Sequence, residues 1–437
     1  MAISNKLLYG NNVNNNPLPS AIPNPVVKLV GEHKGKRAEF SLNHDILSKH
    51  MMLVGGTGCG KTTLFYHIVS QIKKQMTNDD VMIIFDSKGD FVSKFYSPQD
   101  AIIGNSKMYA SKSEHWNIFK EILADGWEEK DFTMNVREIC KSFFEERTKK
   151  TSNAFFPNAA SDLLASLLIA EIRAGIEERD QIEELFYNDA LKQFLDGCDA
   201  DLMVDILSDY DDLNSVKSYI AGGNEQSQGV ISELFSVTRE IFQGVFAEKG
   251  KFSIRDFVRK KSKRTLFIEY DLAIGNVLTP VYRLMFDLAL KEALGRTKSQ
   301  GNVYLICDEF RLIPHLQHID DGVNFGRSLG VKIIAGLQSV EQLYEMYGES
   351  RGKNIAAGFS SLFAFRANDA TTRKHVKELF GQNIILDQYQ MSNNTIVEEK
   401  RTGNTVEDWD LNTLKVGEAI VGLPFSQPFR FYFDMYR

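Results

Sequence analysis

Eight residues, Gly55-Gly56-Thr57-Gly58-Cys59-Gly60-Lys61-Thr62, constrain this chain more than any other stretch, because they fit the pattern G-x-x-x-x-G-K-[ST]. The glycines let successive backbone N–H groups turn inward around one anion with no Cβ in the way. A helix must come next, since its N-terminal amides and dipole supply the remaining positive potential. A strand must precede, and MMLVG from Met51 is apolar strand material, while residues 60–74 carry helical spacing. In such a loop Lys61 reaches the β- and γ-phosphates of a nucleotide and the Thr62 hydroxyl ligates Mg2+. Thr63 completes the candidate nucleotide-binding set that begins at Gly55.

The stretch after the loop sets the fold class. Val81–Asp86 (VMIIFD) is an apolar run of buried-strand length, so strand, helix and strand form one βαβ unit of a parallel sheet with a right-handed crossover. Further strands are expected at Arg264–Tyr270, Val303–Cys307, Lys332–Gly336 and Ser361–Arg366. Helices are expected at Pro280–Leu294, Gly322–Leu329, from about Val340, and at Asp369–Phe380. Glu418–Val421 and the alternating Phe429, Phe431 and Phe433 read as a terminal hairpin. The class is therefore α/β with a mainly parallel central sheet. Residues 120–250 differ: Leu163, Leu164, Leu167, Leu168 and Ile172 recur at helical spacing, and long stretches lack β-branched runs. The expected division is an extended or disordered Asn- and Pro-rich arm at 1–25, one α/β domain from 26–119 and 251–437, and an inserted all-helical domain at 120–250.

Charge is unevenly spread. A net charge of −7 excludes a uniformly basic nucleic-acid binder, but residues 120–250 hold 27 Asp and Glu against 13 Lys and Arg, while the rest is mildly basic. The two parts are expected to meet different partners. Residues 255–264 hold six basic side chains in ten, and Lys141, Arg147, Lys149 and Lys150 form a weaker cluster. Each cluster reads equally as a salt-sensitive, sequence-independent phosphate contact or as a solvated basic surface. Cys59, Cys140, Cys198 and Cys307 are scattered with no C-x-x-C pair, which argues against a disulfide framework or zinc site and for a reducing compartment. No run approaches 18 apolar residues and the start lacks a signal-peptide pattern, so no membrane span is expected.

Val303-Tyr304-Leu305-Ile306-Cys307-Asp308-Glu309 is an apolar strand ending in two carboxylates. Coupled to a phosphate loop, the first carboxylate, Asp308, joins the metal shell. The second, Glu309, orients and deprotonates the attacking water. Asp86, ending the strand after the loop, lines a ligand crevice or caps a turn or helix, and both readings stay open.

With GGTGCGKT, VMIIFDSKGDF, YLICDEF and AGLQSVEQL at these spacings, the chain resembles the RecA-like motors of the HerA/FtsK superfamily. Most specifically it resembles the TraG/TraD-type coupling ATPases of type IV secretion and conjugation. DSKGDF, the Trp116-Asn117-Ile118-Phe119 patch, LFIEYD ahead of Pro280, and LKVGEAIV carry that branch. The resemblance covers about residues 45–120 and 264–437 and is only architectural for the helical insert. It implies a RecA-like domain using ATP and Mg2+, a hexameric ring, and DNA translocated through a central channel without sequence specificity. It implies, too, that Gln338 senses the γ-phosphate and that Arg327 is an arginine finger acting on the neighbouring subunit's site, with Arg366 and Arg373 as rivals.

Membrane-anchored members begin with transmembrane helices that are not read here. A cytoplasmic location is therefore expected, peripheral to the inner face of the membrane through a separate anchor or secretion-channel protein. The acidic insert would take basic protein cargo. Two other readings stand beside this one. The first is a soluble HerA-like DNA translocase of repair or phage defence, disfavoured by the short stretch before the loop. The second is a nucleotide-gated adaptor that recruits proteins for secretion and moves no DNA.

Overall fold

The computed structural model describes residues 2–177, 186–295, 301–391 and 395–436, and the chain divides into two compact units. The first holds Met1–Met82, Arg296–Arg311 and Ile319–Arg437; the second holds Ile83–Gly295 and Leu312–His318.

The strands, in chain order, are β1 (Ala2–Tyr9), β2 (Pro25–His33), β3 (Lys36–Asn43), β4 (Met51–Val54), β5 (Val81–Asp86), β6 (Ala101–Ile103), β7 (Arg264–Glu269), β8 (Val303–Cys307), β9 (Val331–Leu337), β10 (Ser361–Ala364), β11 (Gln382–Gln390), β12 (Ile396–Asn404), β13 (Glu418–Gly422) and β14 (Phe429–Phe433). In the first unit they run side by side as β3-β2-β14-β13-β10-β4-β9-β8. The stretch β10-β4-β9-β8 is parallel throughout, and the flank from β13 outward is antiparallel. Every residue of β4, β8, β9 and β10 is buried, as expected of parallel strands covered on both faces. The antiparallel flank alternates instead. Phe429, Phe431 and Phe433 point inward, and Phe40 of β3 meets the first two edge-on at 5.0 and 4.9 Å. Each buried Phe contributes about 1.5–3 kcal/mol.

Two strand pairings of this unit lay outside the sequence reading. Lys34 and Gly35, both at positive φ, turn β2 back into β3, and the stretch expected to be an extended or disordered arm supplies β1, which pairs with β11 of a hairpin over 382–404. Gly348 (φ 79) also splits the helix expected from Val340 into Glu341–Tyr347 and Glu349–Gly358.

In the second unit β5, β7 and β6 lie in that order. Among the described residues, 118–260 contain helices and no strand. The long ones are α2 (Glu129–Lys150), α3 (Phe155–Glu177) and α4 (Glu225–Ile241), numbered after α1 (Lys61–Gln75) of the first unit; α5 (Gly275–Leu294) comes next. Helix α3 buries Leu163, Leu164, Leu167, Leu168 and Ile172 along with most of its circumference, the pattern of a bundle's central helix. Asn117 and Asn188 tie the foot of this bundle. Asn117 donates to the carbonyls of Phe186 and Gly250, and Asn188 donates to those of Trp116 and Phe246 while accepting from the Ile118 amide. The Trp116–Phe119 patch is thus a structural knot, with the Trp116 indole donating to buried Glu121. Burial pushes the Glu121 carboxyl up to about 6, against donors from Ile254, Arg255, Trp116 and Ser253.

Candidate functional site

The phosphate loop leaves β4 and enters α1 as the motif requires. Gly58 (φ 73) and Gly60 (φ 110) hold left-handed backbone that a side chain would strain. Helix α1 forms because Leu64, Phe65, Ile68, Val69 and Ile72 make one buried stripe. Its N-cap is Gly60, which has no side chain to occupy the first-turn amides, so these stay available to an anion. The loop is braced on both sides. Gly55 N–H donates to the Leu337 carbonyl of β9 at 3.2 Å, and Gly56 N–H donates to the Arg366 carbonyl after β10 at 3.0 Å. The Lys61 ammonium, half-buried, donates to the carbonyls of Gly55 (2.5 Å) and Gly56 (3.2 Å).

A cavity of about 240 Å³ opens on this loop. It is lined by Gly58, Cys59, Gly60, Lys61, Thr62 and Thr63 on one side and by Val416, Gly417, Phe433 and Met435 on the other. The second wall escaped the sequence reading. Its signal was present as Gly417 in the LKVGEAIV segment. Gly417 N–H donates to the Cys59 carbonyl at 2.9 Å, and a Cβ on Gly60 would stand 2.9 Å from the Gly417 Cα, so close backbone approach requires glycine at 60, while Gly417 itself holds left-handed backbone (φ 85).

The carboxylate pair ends β8, which is parallel to β9, itself parallel to β4. One strand therefore separates the loop from the acidic pair, and all three strands finish at the same end of the sheet. Glu309 is half-buried; its Oε2 accepts from Gln338 Nε2 at 3.0 Å, and Arg311 Nε lies 3.3 Å from its Oε1. Gln338, immediately after β9, is fixed in turn by its amide donating to Gln342 Oε1. Asp308 sits tight against β9 too: a Cβ on Gly336 would lie 2.3 Å from its carbonyl oxygen.

The three arginine candidates part company. Arg366 comes after β10 at the loop end, exposed, with its carbonyl on the loop. Arg373 is engaged by Asp408 and by the carbonyls of Ala367 and Asn368. Arg327 stands four residues before β9 begins, at the opposite end of the sheet, about 20 Å from the loop end at 3.3 Å per residue. It is exposed and pairs with Asp45 at 3.0 Å. Hydrogen bonding to Lys49, with Arg327 adding to it, holds the Asp45 carboxyl below its usual range. Within one chain the fold brings together Lys61, Asp308, Glu309 and Gln338 and leaves Arg327 apart.

Two sequence readings resolve differently. Asp86 is a cap: its carboxylate accepts from the amides of Lys88, Phe91 and Val92, at the start of the helix Asp90–Phe95. The basic segment 255–264 is largely consumed internally, starting as the helix Ile254–Lys260. Arg255, almost fully buried, pairs with Asp125 (2.6 Å) and Glu292 (3.1 Å) and donates to the Glu121 carbonyl; Arg259 pairs with the same two carboxylates. Burial works to raise the Asp125 carboxyl, but hydrogen bonds from Asn135, Arg259 and Arg255 hold it well below the usual range. Arg264 donates to the Gln99 carbonyl and lies over the Phe257 ring. In the weaker cluster Arg147 pairs with Glu233 and Glu240, Lys149 with Glu145, and Lys150 with Glu146.

The family model of the type IV secretion-system coupling protein DNA-binding domain matches residues 35–408, running through the helical stretch for which the sequence resemblance was architectural only. Coupling protein TraD of Escherichia coli (strain K12) is 21% identical over 442 residues, covering 96% of this chain; the chain spans 56% of that relative's length. The fold is similar to that of the conjugative coupling protein TrwB without its first 70 residues, at TM-score 0.74, 19% identity, and 99% and 94% of the two chains. It is similar also to TrwB in complex with ADP and Mg2+ (TM-score 0.73, 19% identity, 100% and 94% covered). VirB4 of Thermoanaerobacter pseudethanolicus is more distant, at TM-score 0.58, 12% identity, and 96% and 98% covered. These likenesses establish the RecA-like α/β fold. Among the described residues no helix is long and apolar enough to cross a membrane.

Proposed function

Because the chain belongs to the type IV secretion-system coupling protein family, we propose that it is an ATP-hydrolysing, ring-forming motor that moves DNA toward a secretion or conjugation channel. The observation that carries this reading is the parallel triplet β4-β9-β8, which ends the phosphate loop and the Glu309–Gln338 pair on one side of the sheet.

The loop fits a nucleotide. Nothing lies within 4 Å of a Cβ placed on Gly58, the uncapped amides of α1 face no side-chain acceptor of their own, and the cavity borders both. Triphosphate oxygens would replace the carbonyls of Gly55 and Gly56 at the Lys61 ammonium. Thr62 and Asp308 would hold Mg2+, which supplies charge neutralisation at the phosphates. Glu309 takes the proton of the attacking water, and the Gln338 amide keeps that carboxylate oriented toward it. Arg327, at the far end of the sheet, reaches a γ-phosphate only from a neighbouring copy, so a complete site needs a ring. TrwB's solved complexes with ADP and Mg2+ and with the ATP analogue ADPNP support the same choice of ligands.

A second role, capture of basic protein cargo, is favoured by the exposure of Asp199, Asp201, Asp205, Asp209, Asp211 and Asp212 within one short stretch. Reversing their charge should weaken binding of a cationic protein and leave hydrolysis unchanged.

The test of the motor is turnover against DNA and protein concentration. Hydrolysis should rise with both DNA and chain concentration. Glu309→Gln should bind ATP without turning it over. Turnover indifferent to DNA would sink the translocase and leave the adaptor.

A further inference from the structure

The foot of the helical bundle carries a cavity of about 360 Å³ that neither the phosphate loop nor the acidic stretch uses. That is the small end of the range for ligand sites, about 300–1,000 Å³, with room for one planar ring and its substituent. Its residues come from the helix Ile118–Ile122 and the turn after it, from Phe186 and Tyr187, and from 251–256, all within the second unit.

One wall is aromatic. Phe119 and Phe186 stack at 4.9 Å with 24° between their planes, and Trp127 lies tilted at 6.0 Å from Phe186. The two Phe rings are buried, but Trp127 is 48% exposed, so much of its indole stays open after the protein's own packing. The rim is cationic. Lys120 and Lys251 border the cavity, and among the described residues neither has a carboxylate partner. The acids nearby are spent: Asp125 on Arg255 and Arg259, Glu128 on Lys130, Glu129 on Arg173, and Asp256 on Lys260. Asn117, which also lines the cavity, is spent as well. Its amide donates to the carbonyls of Phe186 and Gly250, and its side-chain oxygen accepts from the amides of Phe119 and Lys120.

We propose that this cavity binds one unpaired nucleotide, with the base against Trp127 and the phosphate at Lys120 and Lys251. Every base has a π-face that stacks on an aromatic ring, and the adjoining phosphate brings the charge that the two lysines lack. With Asn117 engaged, no side-chain amide is left to read a base edge, so the site is blind to sequence. An aromatic peptide would need partners for its backbone as well, and Asn117 has none to give. A paired base is stacked inside its duplex and does not reach the indole, so the site distinguishes single from double strands. The inference is independent of hydrolysis at the phosphate loop, since binding is read without ATP.

The test uses the full chain and an oligothymidylate of about a dozen nucleotides, part of it carrying iododeoxyuridine for cross-linking. Cross-links should map to Trp127 or to Phe119, Phe186 and Tyr187. Trp127→Ala should weaken binding about tenfold, and Trp127→Phe should recover most of it. An abasic strand of equal length should bind the wild type about as weakly as the oligothymidylate binds Trp127→Ala. Lys120→Ala and Lys251→Ala should each flatten the slope of log affinity against log salt by about 0.7. A duplex carrying the same iodinated base should give no cross-link at Trp127. Thymidine monophosphate separates the two sources of the ligand: competition at equal concentration assigns the cavity to free nucleotides, and competition only in large excess assigns it to a strand. Equal affinity for the abasic strand, or cross-links that avoid 119–127 and 186–187, would overturn the proposal. So would an acidic aromatic peptide that displaces the strand from Trp127 at lower concentration than the nucleotide does, which would make the cavity a peptide site.

Discussion

Lys61 and Arg255 are both half-buried or buried cations, yet one is held by two backbone carbonyls and the other by two carboxylates and a carbonyl. In the phosphate-loop unit the cation's partners are uncharged and can be exchanged for a ligand's phosphates at little cost. In the helical unit the arginines of the basic segment are neutralised by acids from other elements, and removing either partner strands a buried charge. Availability of a charge for binding is thus a property of what the fold sets against it, and not of how many basic residues stand together in the chain.

Substitutions at the two places should break in opposite ways. The largest effect is expected for Lys61→Ala, which should lower ATP turnover by about 1,000-fold or more while leaving the melting temperature nearly unchanged. Arg327→Ala should cost about 1,000-fold in turnover, the low end for loss of an arginine finger. Mixing it with Glu309→Gln should restore activity, because a mixed interface holds one intact carboxylate and one intact arginine. No recovery on mixing would remove Arg327 from that role. Arg255→Ala should destabilise the helical unit by about 3–5 kcal/mol, seen in chemical denaturation, with turnover per folded molecule near wild type. If it instead weakened DNA binding and spared stability, the contrast between the two regions would fail.

A fourth effect sharpens the contrast through pH. His50, buried ahead of β4, has its pKa pushed down to about 4 by burial and by Lys332, and its Nδ1 accepts from the Ile333 amide. A base with a depressed folded-state pKa stabilises the fold above its unfolded value near 6.5 and loses that contribution as pH falls toward 4. The full loss is roughly 3 kcal/mol. The phosphate-loop unit should therefore weaken on acidification from pH 7 to 5, and His50→Asn should reduce that slope. The smallest effect is expected on the basic segment's exposed lysine: Lys260→Glu should change DNA affinity by no more than about threefold, because Lys260 is already paired with Asp256 and at most one phosphate contact is at stake.

Legibility in the sequence divides along the same line. The loop, the five apolar strands after it and the acidic end of β8 were read directly, since each depends on neighbours within a few residues. The hairpin β11–β12 was not, because β12 is largely exposed and polar, with residues such as Glu398 and Lys400, and β11 mixes polar Asn383, Asp387 and Gln388 with its apolar residues, so hydrophobic alternation is weak. The pairing of β2 with β3 was not read either. In the site, Lys61, Asp308, Glu309 and Gln338 were named from motif and resemblance, while Val416, Gly417, Phe433 and Met435 were missed. Those four are brought to the loop by chain more than 350 residues away, and no local pattern marks a wall.

By itself the sequence determined the conformations that glycine permits around a phosphate, the apolar strands of a parallel sheet, and a long helical stretch between them, because backbone sterics and hydrophobic period act over a few residues. Tertiary structure alone decided that β9 stands between β4 and β8, that Arg327 faces away from its own loop, that Asp86 is a cap, and that Arg255 is spent inside. Each of these depends on which distant group arrives next to which, and that is settled by the packing of the whole chain.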